Sequence, residues 1–185
     1  MKDRTRDRLK QAGSRAVVTA LGKHGVRGRR LKDARGFDAL QDPLVGDAFV
    51  GPAASCPAGD VLVIEQGPVI PLPVPHLARR GIAGVLAGTP LRQVAEIVRA
   101  PLPGFQHRGG VAIAAGDAIL GDKNGVVVIP AALADQIAEE AADAVLFEEF
   151  NAEQVNAGGG VYGLHIAMGD QARQAFAAWK RMRGK

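Results

Sequence analysis

The chain alternates between stretches with a helical repeat of apolar positions and short apolar runs bounded by glycine and proline. Leu9, Ala12, Ala16, Val17, Ala20 and Leu21 recur at helical spacing, which predicts a helix over 5–22 stopped by Gly22 or Gly25. The polar stretch VRGRRLKDARGFDAL (26–40) predicts a loop. LVGDAFVGPAASC (44–56) alternates and predicts a strand that turns at Gly51-Pro52. VPHLARR (74–80) predicts a helix and GIAGVLAG (81–88) a buried strand. LRQVAEIVRA (91–100) predicts a helix that the following PLP ends. GGVAIAAGDAILGDKNGVVVIP (109–130) predicts three short strands, the last entered through a hairpin turn at Asn124-Gly125. A long helix follows from about 131 to 156, with Leu133, Ile137, Ala141, Val145, Leu146 and Phe150 on its apolar stripe. A glycine-rich loop (157–170) then leads to a C-terminal helix held down by Phe176 and Trp179.

One device occurs twice. PAGDVLVIEQG (57–67) and AAGDAILGDKNG (114–125) each join a Gly-Asp turn to a short apolar strand, an acid and a glycine. Asp60 and Asp117 are expected to accept backbone N–H groups in these turns. Glu65 and Asp122, which close the two strands, are expected in turn and surface roles.

With 185 residues, 47% of them apolar, the chain fits a single domain, 1–185. Cys56 has no partner for an internal disulfide, no apolar run reaches the roughly 20 residues of a membrane span, and MKDRTRDRLKQ lacks the apolar centre of a secretory leader. These features suggest a cytoplasmic setting. Net charge is +4, but 12 of the 23 Lys and Arg lie in residues 1–35, with only 3 of the 19 Asp and Glu. A basic N-terminal arm (1–13) therefore leads an acidic body. Such an arm can meet nucleic acid or an acidic partner. Without interleaved aromatics, a solvated helix face or an arm packed on a neighbouring subunit is the preferred expectation.

Motifs for common chemistries are absent: no GxGxxG after a strand, no Walker A, no HExxH, no Cys/His zinc spacing and no GxSxG. The histidines, His24, His76, His107 and His165, are scattered. Arg92 lies just past a buried strand, where α/β folds place ligands, and either grips an anion or pairs with Glu96 one turn on. His76 is either an acid/base or a structural histidine. His107 and Arg108, in FQHRGG, either bind an anion or sit in an exposed loop.

Several stretches together resemble the RraA-like family: GIAGVLAGTPLRQVAEI (81–97), AAGDAILGDKNGVVVIP (114–130), EEFNAEQVNAGGGVYGLH (148–165) and PAGDVLVIEQG, in the family's order, within roughly 14–180. The resemblance implies an α/β, layered swivelling β/β/α fold with a C-terminal helical arm. It also implies trimers or pairs of trimers with sites between subunits. The family holds two activities: a class II aldolase that cleaves 4-hydroxy-4-methyl-2-oxoglutarate and decarboxylates oxaloacetate, and a non-enzymatic inhibitor of ribonuclease E. In the enzymes an Arg-Asp pair serves the site, Arg meeting substrate and Asp meeting a divalent metal.

Here that pair reads Arg92-Gln93, and a neutral amide is a poor ligand for Mg²⁺ or Mn²⁺. The preceding Asp-Gly reads Gly88-Thr89, and the glycine-rich turn reads GPVIPLP (67–73), where Pro68 and Pro71 have no N–H to offer. The resemblance thus implies a diverged lyase-like enzyme acting on a small carboxylic (oxo) acid. Arg92, His76 and Glu149 are its candidate catalytic residues, Glu149 or Glu148 reaching over from a neighbouring subunit. Arg92, Gln93, Gly88, Thr89 and His107 are its candidate substrate contacts. No cofactor is expected, Mg²⁺ or Mn²⁺ entering only if the site is rebuilt around Gln93. The alternative is a non-catalytic regulatory protein with a protein partner. A homotrimer or hexamer is expected in either case, and nucleic acid or membrane in neither.

Overall fold

The computed structural model describes residues 1–38, 41–65, 72–89, 91, 94–158 and 170–184. They fall into two compact units, Met1–Ala142 and Asp143–Lys185. In the first, β2 (Leu44–Phe49), β3 (Val61–Ile64), β4 (Gly84–Ala87) and β5 (Gly104–Gln106) lie side by side and parallel. The crossovers that parallel pairing demands carry α2 (Val74–Arg79) and α3 (Val94–Arg99). Strands covered on both faces must be apolar throughout, and β4 is buried at every position. Gly84 is required by close approach: a Cβ there would lie 2.3 Å from the Pro103 carbonyl oxygen and 2.4 Å from Leu44 Cδ1.

The hairpin of β6 (Ala118–Asp122) and β7 (Gly125–Ile129) adds antiparallel to β2, and β1 (Arg35–Gly36) adds antiparallel to β5, giving the order β1-β5-β4-β3-β2-β6-β7. The Asn124-Gly125 turn forms as the sequence predicts. The region 109–130 supplies two strands rather than three. Val111 and Ile113 pack their side chains against the core without joining a named strand.

The stretch predicted as loop is where the structure departs most from the sequence pattern. Val128 N–H donates to the Arg29 carbonyl at 2.9 Å, and Leu31 N–H donates to the Val126 carbonyl at 3.0 Å. Lys32 and residues 108–109 exchange bonds of 2.9 and 3.0 Å, and Arg35–Gly36 then pairs with β5. A single segment, 29–36, thus bonds to both outer edges and nearly closes the sheet. Backbone pairing needs no apolar pattern: of the segment, Leu31 is buried in the core beside Phe105, Val126 and Val128, and Ala34 packs against it.

Asp117 behaves as its turn predicts. Its Oδ1 accepts Ala131 N–H, and its Oδ2 accepts Ala114 N–H and an Arg29 guanidinium N–H, each at 3.2 Å. Asp60, its counterpart, accepts no backbone N–H through its side chain among the described residues. Burial first, and Asp47 second, push its carboxyl above the usual value.

Helix α1 (Asp3–Lys23) breaks at Gly13, where φ is +71°. Asp122 caps its second part, accepting the Ser14 N–H and hydroxyl at 2.8 Å each. The basic arm lies along the acidic start of α4 (Ala134–Asn156). Lys2 and the Thr5 hydroxyl reach Asp135, Arg4 and Arg8 reach Glu139, and His24 reaches Glu140. The acidic surface expected of a partner is in the same chain.

In the second unit the end of α4 and α5 (Asp170–Met182) share a cluster of Leu146, Phe150, Phe176 and Trp179. Trp179 Nε1 donates to Glu153 at 2.8 Å. Phe176 and Trp179 therefore hold the C-terminal helix as the sequence predicts. No helix among the described residues is long and apolar enough to cross a membrane.

Asp117→Ala would strand two backbone donors and Arg29. The expected loss is about 2–4 kcal/mol in urea unfolding at pH 7. Asp60→Asn removes a carboxylate that burial disfavours, so the same measurement should show no loss.

Candidate functional site

Parallel strands present their carboxyl ends at one edge, and ligands of open α/β sheets bind there. In this chain that edge carries Glu65 after β3, Gly88-Thr89 after β4 and His107 after β5. The ladder continues past the named strands: Gly88 N–H donates to the Ile64 carbonyl at 2.8 Å, and His107 N–H to the Ala87 carbonyl at 2.9 Å. Gly88 makes room for Glu65. A Cβ on it would lie 2.9 Å from the Glu65 carbonyl oxygen and 3.1 Å from Oε2.

His107 is 1% exposed. Its Nδ1 accepts Gly109 N–H at 3.0 Å, so the neutral ring carries its proton on Nε2. Nε2 lies 3.6 Å from Glu65 Oε1, beyond a hydrogen bond. Both atoms are enclosed, and neither has a hydrogen-bond partner among the described residues. Burial lowers the imidazole's pKa below its ordinary 6.5, and the Glu65 carboxylate opposes that shift without cancelling it. The Glu65 side chain is 41% exposed although its Oε1 is enclosed, so the pair has one open side. Beside it a cleft of about 340 Å³ is lined by Asp33, Arg35, Gln106, His107 and Arg108.

The structure brings Gly88 and His107 of the predicted site residues to the same strand edge, with Thr89 next in the chain. Arg92 and Gln93 lie outside the described residues, as do His165 and most of the proline-rich turn, 67–71. His76 is exposed on α2 and makes no side-chain hydrogen bond or ion pair among the described residues. Glu148 and Glu149 are exposed on α4 in the second unit.

The exposed-loop expectation for His107 is corrected. Phe105 and Gln106 form β5, and the chain stays in the sheet for one residue more. Glu65, expected in a surface turn, is the group that sequence reasoning missed. Its signal was positional: it stands directly after an apolar run, VLVI, at the level of Gly88 after GVLA.

Among the described residues no three His, Cys, Asp or Glu side chains gather closely enough for a metal ion. Hard cations such as Mg²⁺ want several oxygens. The strand edge offers one carboxylate and an imidazole whose Nδ1 is already engaged, so the described donors do not fit that ion. Cys56 is no nucleophile, because burial, aided by Asp60, pushes its thiol up to about 11.

No family model and no curated protein matches the chain. Solved structures do. RraAS2 of Streptomyces coelicolor, described as an unusual member of the RNase ES inhibitor RraA protein family, superposes with a TM-score of 0.68 at 20% identity over 82% of this chain and 97% of that one. The chain has the RraA-like fold. An uncharacterized protein from Pseudomonas syringae pv. tomato str. DC3000 matches with a TM-score of 0.69 at 20% identity over 95% of both chains. A third match, described as a cellulase from microbes of the gut ecosystem, has a TM-score of 0.67 at 15% identity over 81% of this chain and 88% of that one. The RraA-like fold agrees with the resemblance read from the sequence, including its C-terminal helix.

The lowered imidazole pKa has a stability consequence. The unfolded chain takes up a proton near pH 6.5 that the folded chain refuses, so stability should fall as pH drops below 6.5. In His107→Asn, whose Oδ1 can replace the Nδ1 acceptor, thermal unfolding between pH 6.5 and 5 should show a shallower slope.

Proposed function

We propose that this chain is a diverged lyase-like enzyme of the RraA type acting on a small carboxylic (oxo) acid, without the Asp-bound metal of the family's aldolases. The observation that carries the reading is the enclosed pair of His107 Nε2–H and Glu65 Oε1 at the carboxyl ends of parallel strands. Unsatisfied buried polar atoms cost stability, and a native chain keeps them where a ligand or a reaction uses them.

Decarboxylation or retro-aldol cleavage of a 2-oxo acid sends the electrons of the breaking C–C bond into an enolate. Carbon dioxide or a carbonyl product leaves, and the enolate carbon then takes a proton. Glu65, open to solvent on one side, would take up that proton and deliver it to the enolate carbon, returning to carboxylate. The neutral His107, with its fixed Nε2–H, would donate a hydrogen bond to the enolate oxygen. Arg92, which follows Gly88-Thr89 closely in the sequence, would hold the substrate carboxylate. In a homotrimer or hexamer of the family's kind, Glu149 would approach from a neighbouring subunit.

A non-catalytic, regulatory role is the second reading. It is favoured by the likeness to RraAS2, which is described within a ribonuclease-inhibitor family.

The deciding experiment is steady-state turnover of oxaloacetate and related 2-oxo acids by the wild type, His107→Asn, Glu65→Gln and Arg92→Ala. The expected result is measurable wild-type turnover, reduced about 10²-fold or more in His107→Asn, with Arg92→Ala raising KM. No wild-type turnover of any 2-oxo acid, or equal rates in His107→Asn, would overturn the enzymatic reading.

A further inference from the structure

We infer that the cleft lined by Arg35 of β1, Gln106 of β5 and the neighbouring Arg108 is an oxyanion-binding site in its own right. The register Arg35↔Gln106 sets the first arginine beside β5, and the Arg108 N–H to Lys32 carbonyl bond of 3.0 Å anchors the second on the same wall. Both arginines line the 340 Å³ cleft, together with Asp33, Gln106 and His107. Neither has an ion pair among the described residues. The cations of the arm behave differently, since Lys2, Arg4, Arg6 and Arg8 all find carboxylates within the chain.

Two like charges held at one cleft by backbone pairing repel each other, and an anion between them removes that penalty. Guanidinium groups bind planar or tetrahedral oxyanions through paired N–H donors, and the volume admits a small acid. Asp33, on the same cleft with φ +49°, pairs with neither arginine. Its carboxylate limits the affinity for any anion that offers it no donor. The ligand class is therefore a small oxyanion, either a carboxylate or a tetrahedral group.

The test is calorimetric titration of the full chain with sulfate and, separately, with succinate. It reads binding rather than turnover, so its failure leaves the proposed reaction standing, and failure of that reaction leaves this site standing. At least one anion should bind the wild type, and which one does identifies the source of the chemistry. Arg35→Gln/Arg108→Gln should weaken binding at least tenfold, and Asp33→Asn should tighten it. Because all three side chains are exposed, the variants should fold, and a circular dichroism melt confirms it. Absence of wild-type binding, equal affinity in the double variant, or loss confined to Arg92→Ala would overturn the proposal.

Discussion

The structure depends on the pairing of one irregular segment, 29–36, with both edges of the sheet. Without it β7 and β5 would present unpaired N–H and C=O groups to solvent or to other chains. Arg29 reinforces the closure, its Nε donating to the Val128 carbonyl at 3.0 Å and its terminal nitrogen reaching Asp117. Asp117 in turn ties the turn before β6 to the start of the helical region through Ala131. Closure also determines where chemistry can sit. It positions β1 beside β5, and so forms a wall of the arginine cleft.

Electrostatics at the strand edge follow from the burial of His107. Burial favours the neutral imidazole, and Glu65 favours the charged one. Burial is the larger influence, so the ring is neutral at physiological pH while an acid stands 3.6 Å away. A neutral donor facing a carboxylate across a gap slightly too long for a hydrogen bond gains from any group that shortens the path. The same backbone supports proteins described in quite different functional terms, so the fold by itself selects no activity. The side chains at the edge carry the argument.

Much of the architecture was legible because it rests on apolar periodicity. The stripe Leu9, Val17, Ala20 and Leu21 gave α1, the run GVLA gave β4, and Asn124-Gly125 gave the last hairpin. Asp117 could be assigned from turn chemistry alone. Segments held by backbone bonds left no such trace: 29–36 reads as polar, and β5 is three residues long. His107 was weighed as a site residue but placed in solvent, because nothing local shows that FQHRGG stays in the sheet. Glu65 was invisible for a related reason, since its partner lies 42 positions away in the chain and only strand register brings them together.

The arm-to-α4 pairing imposes an order on assembly. Leu9, Val17 and Leu21 of α1 share one apolar cluster with Val127, Ile129 and Ile137. Thr5 bonds to a residue 130 positions later. Helix α1 therefore has no surface to dock on until the last hairpin and the start of α4 have been made. Contacts of such long sequence span form slowly. Until they are made, the nascent chain displays an amphipathic, positively charged helix, the kind of exposed apolar surface that makes chaperones necessary. The sheet waits in the same way, since residues 29–36 close it only once Val126 and Val128 of β7 are there to receive them.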